Sequence, residues 1–139
     1  MEEMKMTPSF GLSVQANETG VSSELDYGTL QMSGMAELGF TPHQLLVSSI
    51  AGCGGIVFGM IAAKMRLDVK DLKVLADVTR NLDEGHRVES VHLHYVITGK
   101  DLKAKAIEQA LTLVRKNCPV ARSVEAAIEL RDTFEIIEG

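Results

Sequence analysis

The stretch from Thr41 to Met65, TPHQLLVSSIAGCGGIVFGMIAAKM, constrains this chain more than any other. It opens with helix-start signals. A Thr at the cap position can accept a bond from the N3 amide, Pro42 suits the first helical position, and Gln44 at N3 can reach back. No charge occurs from Leu45 to Ala63. A helix apolar on every side must be surrounded, so this segment is expected to be the central helix of the fold, with Cys53 buried or half-buried at its midpoint. Gly52, Gly54 and Gly55 each cost about 1 kcal/mol relative to Ala in a helix interior. Something must offset that cost, and a second backbone or a reacting group close to Cys53 would do so. The stretch is also long enough to span a bilayer, and Gly55-x-x-x-Gly59 is a spacing that membrane helices use. Against a span stand the serines and glycines, the lack of an aromatic or basic belt at its start, and flanks patterned for a soluble domain. A core helix, with no membrane partner, is the reading adopted.

At 139 residues the chain is expected to be a single domain, 1–139. A formal charge of −5 argues against nucleic acid, because phosphate binding wants a basic face. Aromatics are only 4% and Trp is absent, so the core must be aliphatic, and burial against another subunit would help it. The opening MEEMKM lacks the pattern of a signal peptide, which points to the cytoplasm. There, cysteines are more often reactive or metal-binding than structural staples.

Residues 9 to 33 alternate as short antiparallel strands: Phe10 to Ala16, then Val21 to Leu25 after an Asn17–Gly20 turn, then Leu30 and Met32. This meander is lean in large side chains and should pack on something else, a second chain being one candidate. Beyond the central helix, Leu72 to Val78 and Val91 to Ile97 alternate as two strands around the loop NLDEGHR, giving a hairpin. Asp101 is expected to cap a helix that runs to about Asn117, with Ala106, Ile107, Ala110, Leu111 and Val114 as its stripe. Pro119 ends it. Ile128 to Ile136 alternates as a last strand. The order β-β-β-α-β-β-α-β defines an α+β domain.

Taken from the residues alone, each cysteine admits two roles. Cys118 precedes Pro119, which can open a short helical turn, and Arg122 follows. Helix amides and a cation both favour a thiolate, yet a free Cys at a helix end is as often inert packing. Cys53, mid-helix among apolar residues, is more commonly packing. His92 and His94 share one strand face but need a third ligand, such as His86 or a cysteine, so no metal is expected. His43, in the first helical turn, reads as a surface or mouth residue. No phosphate-cradling loop and no nucleophile elbow is present, and no cofactor is expected.

With both cysteines in place, the sequence resembles the OsmC/Ohr family of thiol-dependent peroxidases. The resemblance lies in TPHQLLVSSIAGC, in NCPV and in the hairpin exit VHLHYVITGKDL. It implies an OsmC-like fold, antiparallel strands around a long central helix and a second helix, built as an intertwined homodimer. It implies that Cys53 and Cys118 are the catalytic pair: Cys53 would attack an organic hydroperoxide, Cys118 would resolve the product to a disulfide, and an external dithiol would restore both. His43, Gln44 and Arg122 are the supporting residues. The chain departs from the family at one point. Peroxidase members carry a Glu beside the helix-opening Pro, where it holds an Arg from the N-terminal strands. Here that position is His43, and no Arg precedes Arg66; Lys5 is the only N-terminal cation. The alternative reading is a hydrophobic small-molecule binding or redox-sensing module on the same scaffold.

Overall fold

A computed structural model describes residues 8–139. The chain falls into two compact units, one ending at Leu46 and the other comprising Val47–Gly139.

In the first unit, β1 (Gln15–Ala16), β2 (Val21–Glu24) and β3 (Thr29–Met32) form an antiparallel sheet in chain order. Its turns follow the sequence. Asn17 accepts from the Thr19 amide through Oδ1 at 3.2 Å, and its own amide donates to the Gly20 carbonyl at 2.9 Å. Such side-chain turns are what Asn supplies at low cost. The expected first strand is shorter than its alternation suggested. Only Gln15 and Ala16 are paired, while Phe10, Leu12 and Val14 are exposed. Alternation marks a strand that has a covered face, and no described residue of this unit covers that one.

Helix α1 spans Pro42–Lys64, starting where the Thr-Pro signal places it. Thr41 is buried, and its hydroxyl donates to Gln44 Oε1 at 2.8 Å. The helix stops in a Schellman arrangement: the Leu67 amide bonds to the Ala62 carbonyl and the Arg66 amide to that of Ala63, with Arg66 left-handed at φ 58°.

The second unit is built on a sheet of β4 (Asp68–Asn81), β5 (Arg87–Lys100) and β6 (Glu129–Glu138), in that order. β4 and β5 are the expected antiparallel hairpin. β6 instead runs parallel to β5, a departure from an all-antiparallel set. The reason is the connection, since parallel neighbours need a long crossover and α2 (Ala104–Asn117) with α3 (Pro119–Val124) provides it. Val91, Leu93, Tyr95 and Ile97 point from β5 into the core, where they meet Ile50, Val57, Phe58 and Ala62 of α1 and Ile107, Ala110, Leu111 and Val114 of α2. The Phe58 and Tyr95 rings pack with centroids 5.9 Å apart.

Two expectations need correction. Asp101 does not cap α2. It adopts a left-handed turn at φ 55°, and Lys103 holds the cap position without a side-chain bond. α1 is not surrounded either. Ile50, Gly54, Val57, Phe58 and Ala62 are buried, while Gly52, Ile56 and Gly59 on another side are exposed. One sheet can cover one helical face only. α1 is long and apolar enough to cross a membrane by length and composition, but its buried side belongs to this core.

Candidate functional site

Two elements bring the cysteines together. Cys53 rides at the middle of α1. Cys118 sits between two helices, ending α2 and opening α3. Its position follows from Pro119, whose ring disfavours helical geometry in the residue before it. Cys118 is accordingly extended, at φ −82° and ψ 110°, although its amide still bonds to the Val114 carbonyl at 2.8 Å and its carbonyl accepts from the Arg122 amide at 3.0 Å. The kink turns the thiol inward, close enough to Cys53 for the two sulfurs to act on each other. Both residues are thiols; Cys118 is buried and Cys53 half-buried.

The electrostatics of Cys118 differ from the sequence expectation. The helix-start amides are present, since the Val120 and Ala121 N–H groups both act on the sulfur and lower its pKa. Burial and the hydrogen bond to Cys53 outweigh them, pushing the thiol up from 9.0 to about 11. Cys118 therefore keeps its proton at neutral pH, with the Cys53 side chain beside it. The expected cation is engaged elsewhere: Arg122 is exposed and paired with Glu125 at 3.3 Å. The Ser123 hydroxyl is likewise occupied, donating to the Pro119 carbonyl at 2.8 Å.

The close approach that the glycines implied occurs at Gly54. A Cβ built there would overlap the hydroxyl of Tyr95. Tyr95 stands on β5 with its ring buried, and burial together with the Asp132 carboxylate pushes its phenol above the ordinary range. Asp132 pairs with Arg115 at 2.6 Å. Tyr95, Arg115 and Asp132 were not singled out in the sequence, yet Asp132 carries a legible signal. In the alternation Ile128, Leu130, Phe134, Ile136, position 132 lies on the apolar face, where a carboxylate needs a partner. Beside α1, Ala51, Gly52, Gly55, Ile56, Leu72 and Val74 line an open apolar groove of about 370 Å³.

The remaining expected residues lie elsewhere. His43 and Gln44 are exposed in the first turn of α1, with Gln44 engaged by Thr41. Lys5 lies outside the described residues. His92 and His94 project from the other face of β5 and share Thr133 Oγ1, at 2.6 and 2.7 Å; His94 also meets Glu135 at 3.0 Å. Among the described residues no group of three or more His, Cys, Asp or Glu side chains is placed to hold a metal ion.

A thiol pair joined by a β-α-β crossover and a long glycine-rich helix defines a recognised class. The family model for OsmC-like proteins matches residues 34–131. The protein YhfA of Escherichia coli is 30% identical over 98 residues, covering 70% of this chain and 73% of that one. A hypothetical protein from Aquifex aeolicus has a crystal structure similar at a TM-score of 0.85, with 24% identity over 96% of this chain and 99% of that one. A structure from Legionella pneumophila, titled an organic hydroperoxide resistance protein OsmC, aligns at a TM-score of 0.73 and 18% identity, covering 94% and 99%. The chain belongs to the OsmC-like family.

Proposed function

We propose that this protein is a cysteine-dependent organic hydroperoxide reductase, working as a cytoplasmic homodimer of single OsmC-like domains. The observation that carries the reading is the nearness of Cys118 to Cys53, two thiols separated by 64 intervening sequence positions in the chain. Their asymmetry supplies the roles. Cys53 is the half-buried sulfur within reach of a substrate, and Cys118 is the buried thiol beside it whose pKa is pushed up. The Cys53 thiolate attacks the distal oxygen of the hydroperoxide. The oxygen–oxygen bond breaks, the alkoxide leaves and takes up a proton, and Cys53 becomes a sulfenic acid. The Cys118 sulfur then bonds to the Cys53 sulfur, expelling water, and an external dithiol reduces the disulfide by exchange. The apolar groove beside α1 suits an alkyl or aryl group on the peroxide.

The same groove supports a second reading, a module that binds a hydrophobic small molecule while its thiols stay idle. One experiment separates the two. The reduced protein is titrated with an alkyl hydroperoxide, thiols are counted, and turnover with a dithiol is followed. Loss of both thiols per chain, with turnover abolished by Cys53→Ser, is the outcome expected. Thiols inert to peroxide, with a bound lipid-like molecule seen by native mass spectrometry, support the binding module instead.

A further inference from the structure

Arg115, near the end of α2, and Asp132, on β6, form an ion pair through Nη2 and Oδ2. Each keeps a second polar atom, Arg115 Nη1 and Asp132 Oδ1, that is buried with no hydrogen-bond partner in the protein. A leftover donor and a leftover acceptor of charged groups are costly to bury. Both residues line a small cavity of about 10 Å³ that Tyr95, Gly54 and Cys118 also line. That is about the space one water needs, and polar cavities of this size hold water where apolar ones stay dry. The remaining lining is apolar. The titratable and charged groups lining this point are Tyr95 from β5, Arg115 from α2, Asp132 from β6 and Cys118 itself, and Cys53 from α1 acts on Tyr95 and Cys118 from close by.

We infer that Arg115 and Asp132 hold one water in this cavity, and that Asp132 accepts the Cys118 proton through it when Cys118 attacks an oxidised Cys53. The need for such an acceptor follows from burial. A thiol pushed up to about 11 is ionised to only about one part in 10⁴ at neutral pH, too little for a fast attack unaided. The step balances. The proton passes from Cys118 Sγ to the water as the water gives one to Asp132 Oδ1. The Cys118 sulfur bonds to the Cys53 sulfur and the sulfenic S–O bond breaks. The departing hydroxide then takes the proton back along the same path and leaves as water. Arg115 is a positioning residue that fixes the carboxylate and orients the water. The inference deepens the dithiol reading and rests on a Cys53–Cys118 disulfide forming, not on what oxidises Cys53.

The test therefore replaces peroxide with a nitrobenzoate disulfide reagent whose thiolate product absorbs in the visible. The first release reports loading of Cys53, and the second reports attack by Cys118. In the unaltered protein the second release should be nearly flat across neutral pH and should slow in deuterium oxide. Asp132→Asn should leave loading unchanged, slow the second release by about 10²-fold, and make it proportional to hydroxide concentration. The double variant Arg115→Met with Asp132→Leu leaves no unpaired charge and guards against misfolding; it should show the same loss. A second release proportional to hydroxide in the unaltered protein, or one untouched in both variants, overturns the inference, as does failure of the pair to form a disulfide. Normal behaviour here with thiols inert to alkyl hydroperoxide keeps the inference and removes the peroxidase reading.

Discussion

On the Cys118 sulfur two sets of influences compete. The Val120 and Ala121 amides favour the anion, whereas burial and the bond to Cys53 favour the thiol, and the second set prevails. The first set is legible in NCPV, because a proline after a cysteine announces a helix start. The second is not, because burial depends on what the rest of the chain places around the residue. The same division explains Tyr95, which reads as one more aromatic in an alternating strand until Gly54 is seen beneath its hydroxyl. The raised thiol also has a consequence for stability. Below pH 9.0 both the folded and the unfolded chain keep the Cys118 proton, so its contribution is fully present. Between 9.0 and about 11 the unfolded chain releases the proton and the folded chain does not, so that contribution is lost as pH rises. Urea unfolding of the reduced protein should show stability falling through this window. Cys118→Ala should flatten that part of the slope, even though the cavity it leaves lowers stability at every pH. An identical slope in the variant would assign the alkaline loss to other groups.

Among the elements, what the sequence made legible is what neighbours in the chain decide. The Thr41–Pro42 helix start, the β4–β5 hairpin and the break at Pro119 all rest on local chemistry, and all stand where expected. The parallel placement of β6 and the ion pair of Asp132 with Arg115 were not legible, because both depend on partners distant in the chain. The start of α2 shows how narrow the margin is. Asp101 has the right chemistry for a cap but sits two residues early, in a left-handed turn, and Lys103 occupies the cap with extended geometry and no side-chain bond. A lysine there offers no acceptor to the orphan amides and sets a positive charge against the positive end of the helix. Lys103→Asp should therefore stabilise the protein by about 1 kcal/mol, read as a shift in urea midpoint at constant slope. A neutral result would mean that the first turn of α2 is already satisfied by solvent.

For the whole molecule the question is what meets the uncovered side of α1. Gly52 and Gly59 are exposed, and a Cβ built on either would meet nothing within 4 Å. Inside a helix each costs about 1 kcal/mol relative to Ala, and among the described residues no close contact offsets it. Ile56, on the same side, is 47% exposed. Small residues flanking one branched side chain suit the close approach of a second helix, and a second copy of α1 is the occupant that the proposed homodimer supplies. The two cases give opposite signs for one substitution. If the side of α1 faces solvent, Gly59→Ala should raise stability by about 1 kcal/mol and leave the molecular mass in solution unchanged. If two α1 helices pack there, the added methyl groups should weaken association, and sedimentation equilibrium should show the variant dissociating at concentrations where the unaltered protein stays dimeric. We expect the second result, with Ile56→Glu dissociating the dimer further still, because a carboxylate would then be buried without a partner.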